Sequence, residues 1–332
     1  MNDTVSELLT RKLHSRRRFL SGLGLSAGAA AAAAAVMTGC GGNGPAQPVS
    51  PPSGGGGGGT TTGPSDADVL NFALNLEYLE AEFYLRATTG MGLSAADSGT
   101  SPGATTGGSQ VNFTDRAIKA YAMEIAADEL AHVQFLRAAL TQAGATPVDK
   151  PAIDLMNSFN AAASAAMIGP SFNPFADQTS FILGAFIFED VGVTAYNGAV
   201  KYLLANNNTT ILSAAAAIHA TEAYHAAEIR TLLVYMDAAS PSAGLLATAG
   251  KISALRGAAS SASGGQAAEV APTSKTIVPC DGNSLAFPRT TDQVLDIVYL
   301  NATGMAATKG GFYPNGMNGA ITASTKAASR KG

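Results

Sequence analysis

The chain has 332 residues, of which 46% are hydrophobic and only 13% are charged, with a formal net charge of −4 at pH 7. This length and apolar fraction allow a large buried core, and the mildly acidic charge argues against a nucleic-acid-binding protein. The sequence has two cysteines, Cys40 and Cys280, so we expect no disulfide framework, Cys-x-x-Cys redox pair or cysteine-based metal site.

Residues 1–40 have the pattern of an export signal. Three consecutive arginines, Arg16 to Arg18, precede an apolar run at 21–39 that is dominated by Ala and Gly. A basic region before an apolar region is typical of a signal peptide, and the paired arginines indicate the twin-arginine route. An uncleaved membrane anchor is the alternative, but Ala and Gly make a poor transmembrane helix. We therefore predict an exported protein, periplasmic or at the cell surface.

The apolar run ends in Met37-Thr38-Gly39-Cys40, which resembles a bacterial lipoprotein box with Cys40 as the acylated residue. Simple cleavage nearby is the alternative. Residues 41–65 are rich in Gly, Pro, Ser and Thr, cannot bury a core, and are predicted to form a flexible linker. A lipid on Cys40 would be the only membrane attachment, and it would leave Cys280 as a lone thiol, which we expect to be a buried apolar residue.

Residues 66–240 show the apolar periodicity of α-helices. Long helices are predicted at 66–88, 115–143, 177–205 and 209–239. The connection at 145–176 is long and is predicted to hold a short helix near 152–166. A hairpin, a long crossover and a second hairpin together predict an all-α, four-helix bundle.

Residues 241–332 are predicted to form a mostly irregular extension of the bundle. An additional helix is expected at 242–257 and a short one at 291–301. The segment around Phe312 and Tyr313 is irregular but aromatic enough to pack, and the chain beyond about residue 324 is expected to be disordered.

Two Glu-x-x-His pairs, Glu129 with His132 and Glu222 with His225, lie in the predicted second and fourth helices. Residues three apart share a helix face, so both side chains of a pair can reach one ion. Because the chain has only four histidines, two such pairs exceed what composition would produce by chance. Dinuclear carboxylate sites in helical bundles use this spacing on two helices and a Glu from each of the others.

An internal repeat selects the carboxylates of the other two helices. Glu77 is followed seven residues later by Tyr84, and Glu189 seven residues later by Tyr196. Seven residues return a side chain to nearly the same helix face. Glu77 and Glu189 are therefore the ligand candidates, and the tyrosines are predicted to donate hydrogen bonds behind the ligands. Glu80 is a neighbour on the same face, whereas Glu82 is expected on the opposite face.

Four glutamates and two neutral imidazoles match the charge of two divalent cations. The predicted ligands are Glu77, Glu129, His132, Glu189, Glu222 and His225. Without metal the clustered carboxylates would repel each other and take up protons, and a polar network without metal is the alternative. His219 is expected at the rim of the site, behind the ligands. Glu124, Asp128, Asp190 and Glu228 are expected to be surface charges.

The segment 74–84 and the two Glu-x-x-His segments resemble the ferritin-like di-metal carboxylate superfamily. More narrowly, the chain is similar to exported bacterial ferritin-like proteins related to plant desiccation-related proteins, and 287–316 shares this similarity. The chain lacks the cysteine-bound iron domain of rubrerythrins, so a built-in electron relay is not expected. Cage ferritins are shorter and lack the linker and extension, which argues against a storage shell.

Carboxylate and imidazole ligands suit iron or manganese. The resemblance therefore predicts two such ions and an oxidoreductase that acts on oxygen or peroxide, ferroxidase-like or catalase-like. A non-enzymatic, metal-binding protein of desiccation or stress protection is the alternative. A third hypothesis is an interaction protein on a bundle that has lost its metals.

Overall fold

The structure is a computed structural model that describes residues 63–206, 208–264 and 268–325. The predicted signal peptide, Cys40 and nearly all of the predicted linker lie outside these residues. So does the chain after residue 325, where the disordered end is predicted. These predictions stay predictions.

The described residues contain eight α-helices and two short strands. The helices are α1 Asp66–Thr89, α2 Ala95–Ser98, α3 Arg116–Gln142, α4 Asn157–Ala165, α5 Gln178–Ala205, α6 Thr209–Ala239, α7 Leu245–Ala262 and α8 Thr291–Val298. The strands, β1 Thr105–Thr106 and β2 Ile153–Asp154, pair in parallel. The all-α prediction is confirmed, and the four long helices lie within one or two residues of their predicted bounds.

The four long helices form two hairpins, α1 with α3 and α5 with α6. Contacts of α1 with α5 and of α3 with α6 join the hairpins into a bundle. The crossover between α3 and α5 contains β2 and α4, and β1 in the α1–α3 loop pairs with β2. The connection between the hairpins is therefore fixed to the loop of the first hairpin.

Polar caps set where the long helices begin. Ser65 and Asp68 form a capping box at the start of α1, in which each side chain accepts a hydrogen bond from the other residue's backbone. Asp115 and Asp177 accept backbone N–H groups at the starts of α3 and α5. At the end of α1, Gly90 adopts φ +78°, a conformation that glycine reaches without steric strain.

Helix α5 lies at the centre of the bundle. Among the described residues it is the one helix long and apolar enough to cross a membrane, yet 89% of its most apolar stretch is buried within the protein. It also carries Glu189 and Asp190, both buried. A core helix surrounded by other helices has this composition, so burial inside the bundle accounts for the apolar character of α5.

The C-terminal extension packs against the bundle, as its aromatic residues predict. Phe312 is buried between Phe159 of α4 and Phe188 of α5, with ring centroids 5.2 and 4.9 Å away. The hydroxyl of Tyr313, also buried, donates a hydrogen bond to the backbone oxygen of Asn75 in α1. The extension is thereby held to both hairpins' first helices.

Asp190 is not a surface charge, and that prediction is wrong. Its carboxylate is 3% exposed and accepts hydrogen bonds from Arg230 of α6 at 2.8 Å and Arg256 of α7 at 2.7 Å. Helix α7 covers this face of α5, and the periodicity of α5 alone contains no information about that cover. Cys280 also differs from its prediction, because it is half-buried.

Candidate metal centre

The six predicted ligands come together between the four long helices. Helix α1 contributes Glu77, α5 contributes Glu189, and each of α3 and α6 contributes one Glu-x-x-His pair. All six are buried, and His132, the most accessible, is 8% exposed. The one-turn spacing within each pair directs both side chains to the bundle axis. Ligation by these residues stays a prediction.

The side chains form a first ligand group around His132. Its Nδ1 lies 3.1 Å from Glu77 Oε2, 3.5 Å from Glu222 Oε1 and 3.6 Å from Glu129 Oε2. One potential ligand atom from each of these four residues lies within 4.8 Å of the others. Three carboxylates and one imidazole thus face a common point.

A second ligand group adjoins the first. The Nδ1 atom of His225 lies 2.9 Å from Glu129 Oε1 and 3.8 Å from Glu189 Oε2, and one ligand atom of each residue lies within 4.8 Å of the others. Glu129 belongs to both groups, with Oε1 toward His225 and Oε2 toward His132. The two oxygens of this one carboxylate therefore face different ligand groups.

The donor atoms of this cluster fit metal ions better than they fit each other. Among the described residues, ten buried side-chain atoms have no hydrogen-bond partner, and seven of them belong to this cluster: both oxygens of Glu129 and of Glu222, Oε2 of Glu189, and both ring nitrogens of His225. Leaving such atoms unpaired is costly. Metal–ligand bonds of about 2.0–2.2 Å would place neighbouring ligand atoms about 3 Å apart. The nitrogen–oxygen separations around His132 and His225 are close to that value.

Burial and mutual repulsion perturb the carboxyl groups. The pKa of Glu77 rises to about 8, because burial and the charges of Glu129 and Glu222 outweigh the attraction of His132. Burial and neighbouring carboxylates likewise raise the pKa values of Glu189 and Glu222. Glu129 behaves differently: burial acts to raise its pKa, but contacts with both histidines lower it below the ordinary value. A pair of cations would relieve the repulsion.

Two tyrosines brace the carboxylates across the bundle. Tyr84 of α1 donates its hydroxyl hydrogen to Glu189 Oε1 of α5, and Tyr196 of α5 donates to Glu77 Oε1 of α1. Both tyrosines are buried, and burial followed by the charge of the bonded glutamate raises the pKa of each. They therefore stay protonated donors, and each fixes one oxygen of a candidate ligand while the other oxygen faces the cluster.

A family model for the ferritin-like domain matches residues 65–234. The chain belongs to the ferritin-like family. The chain is 29% identical to the "Ferritin-like catalase Nec2" of Nesocodon mauritianus over 273 residues, which cover 77% of this chain and 85% of that protein. It is 28% identical to the "Desiccation-related protein PCC13-62" of Craterostigma plantagineum over 273 residues, or 77% and 83% of the two chains. No solved structure matches the chain significantly. The predicted resemblance to the ferritin-like superfamily and the desiccation-related group is confirmed.

Glu80 extends the cluster of this ferritin-like protein on one side. It is 5% exposed, and burial together with Glu222, Glu129, Glu189 and Glu77 raises its pKa well above the ordinary value. It belongs to neither ligand group. A buried carboxyl group with this environment holds a proton beside the candidate ligands.

Gly192 leaves room for the carboxylate of Glu222, a role that was not predicted from the sequence. A Cβ at Gly192 would lie 2.2 Å from Glu222 Oε2 and 3.4 Å from Glu80 Oε1. Gly192 follows Glu189 by three residues, as Glu80 follows Glu77, so the internal repeat contains the information. The first repeat carries the carboxylate of Glu80 at this position. The second repeat has Gly192 there, and the carboxylate of Glu222 takes the space that a side chain would need.

Asp128 also lies behind the ligands of the ferritin-like protein, although it was predicted to be a surface charge. Its Oδ2 lies 3.5 Å from His225 Nε2, and its side chain is 15% exposed. With Glu129 it raises the pKa of His225 to about 12, against the opposing effect of burial. A carboxylate behind a ligand histidine orients the ring and increases its basicity. The equivalent residue of the second hairpin, Thr221, carries no charge.

The remaining candidates, His219 and Glu82, belong to neither ligand group. His219 is half-buried, and burial lowers its pKa. Glu82 forms ion pairs with Arg86 at 2.6 Å and Lys150 at 3.7 Å, on the side of α1 away from the cluster, as predicted. Within the described residues, metal-ligand geometry is therefore concentrated in the six predicted residues.

Proposed function

We propose that this ferritin-like protein binds two divalent ions, iron or manganese, and acts as an oxidoreductase on peroxide or oxygen. The observation that carries the proposal is the buried set of carboxylate and imidazole atoms that converge without hydrogen-bond partners. Such a set is costly in an apolar core unless cations occupy it. Oxygen and nitrogen donors favour iron and manganese over softer metals.

Both hairpins would supply ligands to each of the two ions. Glu77, His132 and Glu222 would hold one ion, Glu189 and His225 would hold the other, and Glu129 would bridge them. The four carboxylates neutralise two divalent charges, so the loaded site is electrically balanced in a buried environment. Two iron or manganese ions would supply the redox chemistry, because both metals change oxidation state readily.

The protein itself would position the ligands, exclude water from the site and supply a group that holds a proton. Tyr84 and Tyr196 keep Glu189 and Glu77 in place through hydrogen bonds from the opposite helix. The surrounding bundle excludes bulk water, which strengthens electrostatic interactions within the site. The protonated carboxyl group of Glu80 lies close enough to Glu222 to be a proton store beside the reacting region.

Peroxide is the favoured substrate because one relative, which this chain matches over 85% of that relative's length, is named a catalase. Peroxide dismutation converts two hydrogen peroxide molecules into two water molecules and one dioxygen. One peroxide is oxidised while the other is reduced, so no external electron donor is needed. This stoichiometry agrees with a chain that has no cysteine-based electron relay.

Non-enzymatic protection is the second candidate, and similarity to a desiccation-related protein supports it. In that case metal would stabilise the bundle or be sequestered without turnover. The two candidates share the site and differ in chemistry, so they separate in one experiment: metal-loaded protein that neither consumes peroxide nor oxidises Fe(II) supports protection.

For location we propose export by the twin-arginine route, with Cys40 as a lipid anchor and residues 41–65 as a tether. Support comes from the arginine-led signal sequence and the lipoprotein-box pattern at Cys40. Replacing both Arg16 and Arg17 by lysine should keep the protein in the cytoplasm, as measured by cell fractionation. Export of the exchanged protein would contradict this route.

The metal site is tested by elemental analysis of protein folded with iron or with manganese. We expect about two ions per chain, and we expect Glu129→Ala and His225→Ala to lose most of them. His219→Ala is the matched histidine control and should keep the wild-type content. Unchanged metal content in Glu129→Ala and His225→Ala would refute the site. Peroxide consumption and Fe(II) oxidation by the loaded wild type then decide between the candidate functions.

A further inference from the structure

Two apolar cavities lie between the surface and the metal centre. The outer cavity, about 30 Å³, is enclosed by α4, α5, α7 and the C-terminal extension, and includes Ala163 and Ala259 in its wall. The inner cavity, about 10 Å³, is lined by residues that include Leu79, Glu80 and Gly192. A volume of roughly 10–15 Å³ is enough for one molecule of the size of water, so both cavities fit very small molecules only.

The cavities adjoin each other. Ile187 of α5, Ile297 of α8 and Phe312 of the extension belong to the walls of both. Only these shared side chains need to move for the two spaces to connect. The wall of the outer cavity also includes Ala302, which is exposed to solvent. The two cavities therefore define a line from the surface into the bundle.

The inner cavity ends at the candidate ligands. Gly192 forms part of its wall, and Glu222 Oε2 would lie 2.2 Å from a Cβ on Gly192. Glu80, the other polar residue of this wall, lies against the same point, with Oε1 3.4 Å from that Cβ position. The missing side chain of Gly192 thus leaves the carboxylate of Glu222 at the inner end of the line.

The walls select for an apolar molecule. Apart from Glu80, the inner cavity is lined by aliphatic and aromatic residues and Gly192. In the outer cavity, the guanidinium of Arg256 is already bonded to Asp190 and Glu269. Hydrogen peroxide would lose its hydrogen bonds to water on entry and a metal ion would lose its coordinated water, whereas dioxygen has no strong interaction with water to lose. Apolar cavities of this kind stay dry and take up apolar gases.

We propose that the outer and inner cavities form a passage for dioxygen between the surface and the metal centre. The inference rests on the proposed function, in which dioxygen is either the product of peroxide dismutation or the oxidant of ferrous iron. Polar peroxide and metal ions reach the site by another route. Ile297 and Phe312 lie outside the matched ferritin-like domain at 65–234, so this passage gives the C-terminal extension a function beside the site.

Krypton in pressurised crystals of the full chain tests the passage without any turnover. We expect krypton density in both cavities and no ordered water in the inner one. Ordered water throughout the two cavities, or krypton in neither, would overturn the proposal. Because the measurement needs no bound metal, its result is independent of whether the proposed redox function is correct.

Filling the outer cavity with a larger side chain tests whether dioxygen passes through it. Ala259→Phe places a ring in the cavity, and Ala258→Phe, its exposed neighbour on α7, is the matched control. We expect Ala259→Phe to exclude krypton and to slow dioxygen oxidation of the Fe(II)-loaded protein at least tenfold, with unchanged metal content. Ala258→Phe should match the wild type.

Ala163→Leu fills the same cavity from α4 and serves if Ala259→Phe fails to fold. A variant that excludes krypton but oxidises at the wild-type rate would overturn the passage. A wild type that takes up krypton yet binds no metal, or that turns over neither peroxide nor dioxygen, would instead refute the proposed function. The two failures are therefore distinguishable.

Discussion

The absence of a side chain at Gly192 determines whether Glu222 can occupy its position. In Gly192→Ala the new methyl carbon would lie 2.2 Å from Glu222 Oε2, a distance that forces the carboxylate away. We expect metal affinity to fall at least tenfold, measured by competition with a chelator. Gly250→Ala is the matched control, because nothing lies within 4 Å of its new Cβ on α7. Equal metal affinities of the two variants would show that Gly192 has no role in placing the ligand.

Tyr84 and Tyr196 each hold a candidate ligand on the opposite helix. Tyr84→Phe and Tyr196→Phe each remove one hydrogen bond to a candidate ligand and leave a bundle of nearly the same packing. Loss of such a partner costs roughly 10–100-fold in metal affinity. We expect a decrease in this range for each variant by isothermal titration with Mn²⁺. Affinities equal to that of the wild type would mean that the hydrogen bonds do not hold the ligands.

Spacing along the chain was enough to select the candidate ligands and the two tyrosines, but not to predict which side chains on other helices they contact. Glu-x-x-His and Glu-x6-Tyr are properties of single helices, and a single helix has a known periodicity. Which carboxylate each tyrosine bonds depends on how α1 faces α5, and that relation is absent from either helix alone. The same reason applies to Asp128, whose partner His225 lies on another helix.

At the scale of elements, buried arginines join the extension to the bundle. Arg230 of α6 and Arg256 of α7 both bond Asp190 of α5, while Glu269 pairs with Arg256 and Arg289. The three arginines are among the most fully buried side chains of the described residues. Each also donates a hydrogen bond to a backbone oxygen. These contacts link four segments that are distant in sequence.

Asp190→Asn tests this link. Removing one partner of a buried ion pair leaves uncompensated charge and costs about 3–5 kcal/mol. We expect a loss of that size in the free energy of unfolding, measured in urea on the metal-free protein. Asp292→Asn removes a carboxylate that bonds Thr325 at the surface, and it should change stability by less than about 0.5 kcal/mol. Equal effects of the two substitutions would contradict a structural role for Asp190.

The long helices were predictable because periodicity, caps and glycine or proline stops are all local. Helix α2 and strands β1 and β2 were not predicted. Helix α2 has only four residues, and β1 and β2 have two residues each, so their existence depends on each other and on nearby contacts. The surface position expected for Asp190 failed for the same reason, because α7 covers it from a distant part of the chain.

For the whole molecule, the site predicts an unusual pH dependence of the metal-free protein. The pKa of Glu77 rises from 4.5 to about 8, so the native state gains stability from protonation that is lost between those values. The pKa of His225 rises from 6.5 to about 12, and its contribution is lost above pH 6.5. Glu129, with a lowered pKa, is ionised throughout the interval from pH 6.5 to 8.

The metal-free protein should therefore unfold at a lower temperature at pH 8 than at pH 6.5. The loss is on the order of a few kcal/mol, and thermal melts of chelator-treated protein measure it. Metal binding requires deprotonated ligands and so releases protons, which should make the stabilisation by metal larger at pH 8. A metal-free melting temperature that is constant or rises over this interval would contradict the burial of these groups.

Neither hairpin carries a complete ligand group. The group around His132 needs Glu222 from the second hairpin, and the group around His225 needs Glu129 from the first. A chain that has completed only α1 and α3 would therefore lack part of both groups. If these residues hold metal as proposed, a complete site would form only after the two hairpins dock, and bound metal would mark a chain whose hairpins have docked.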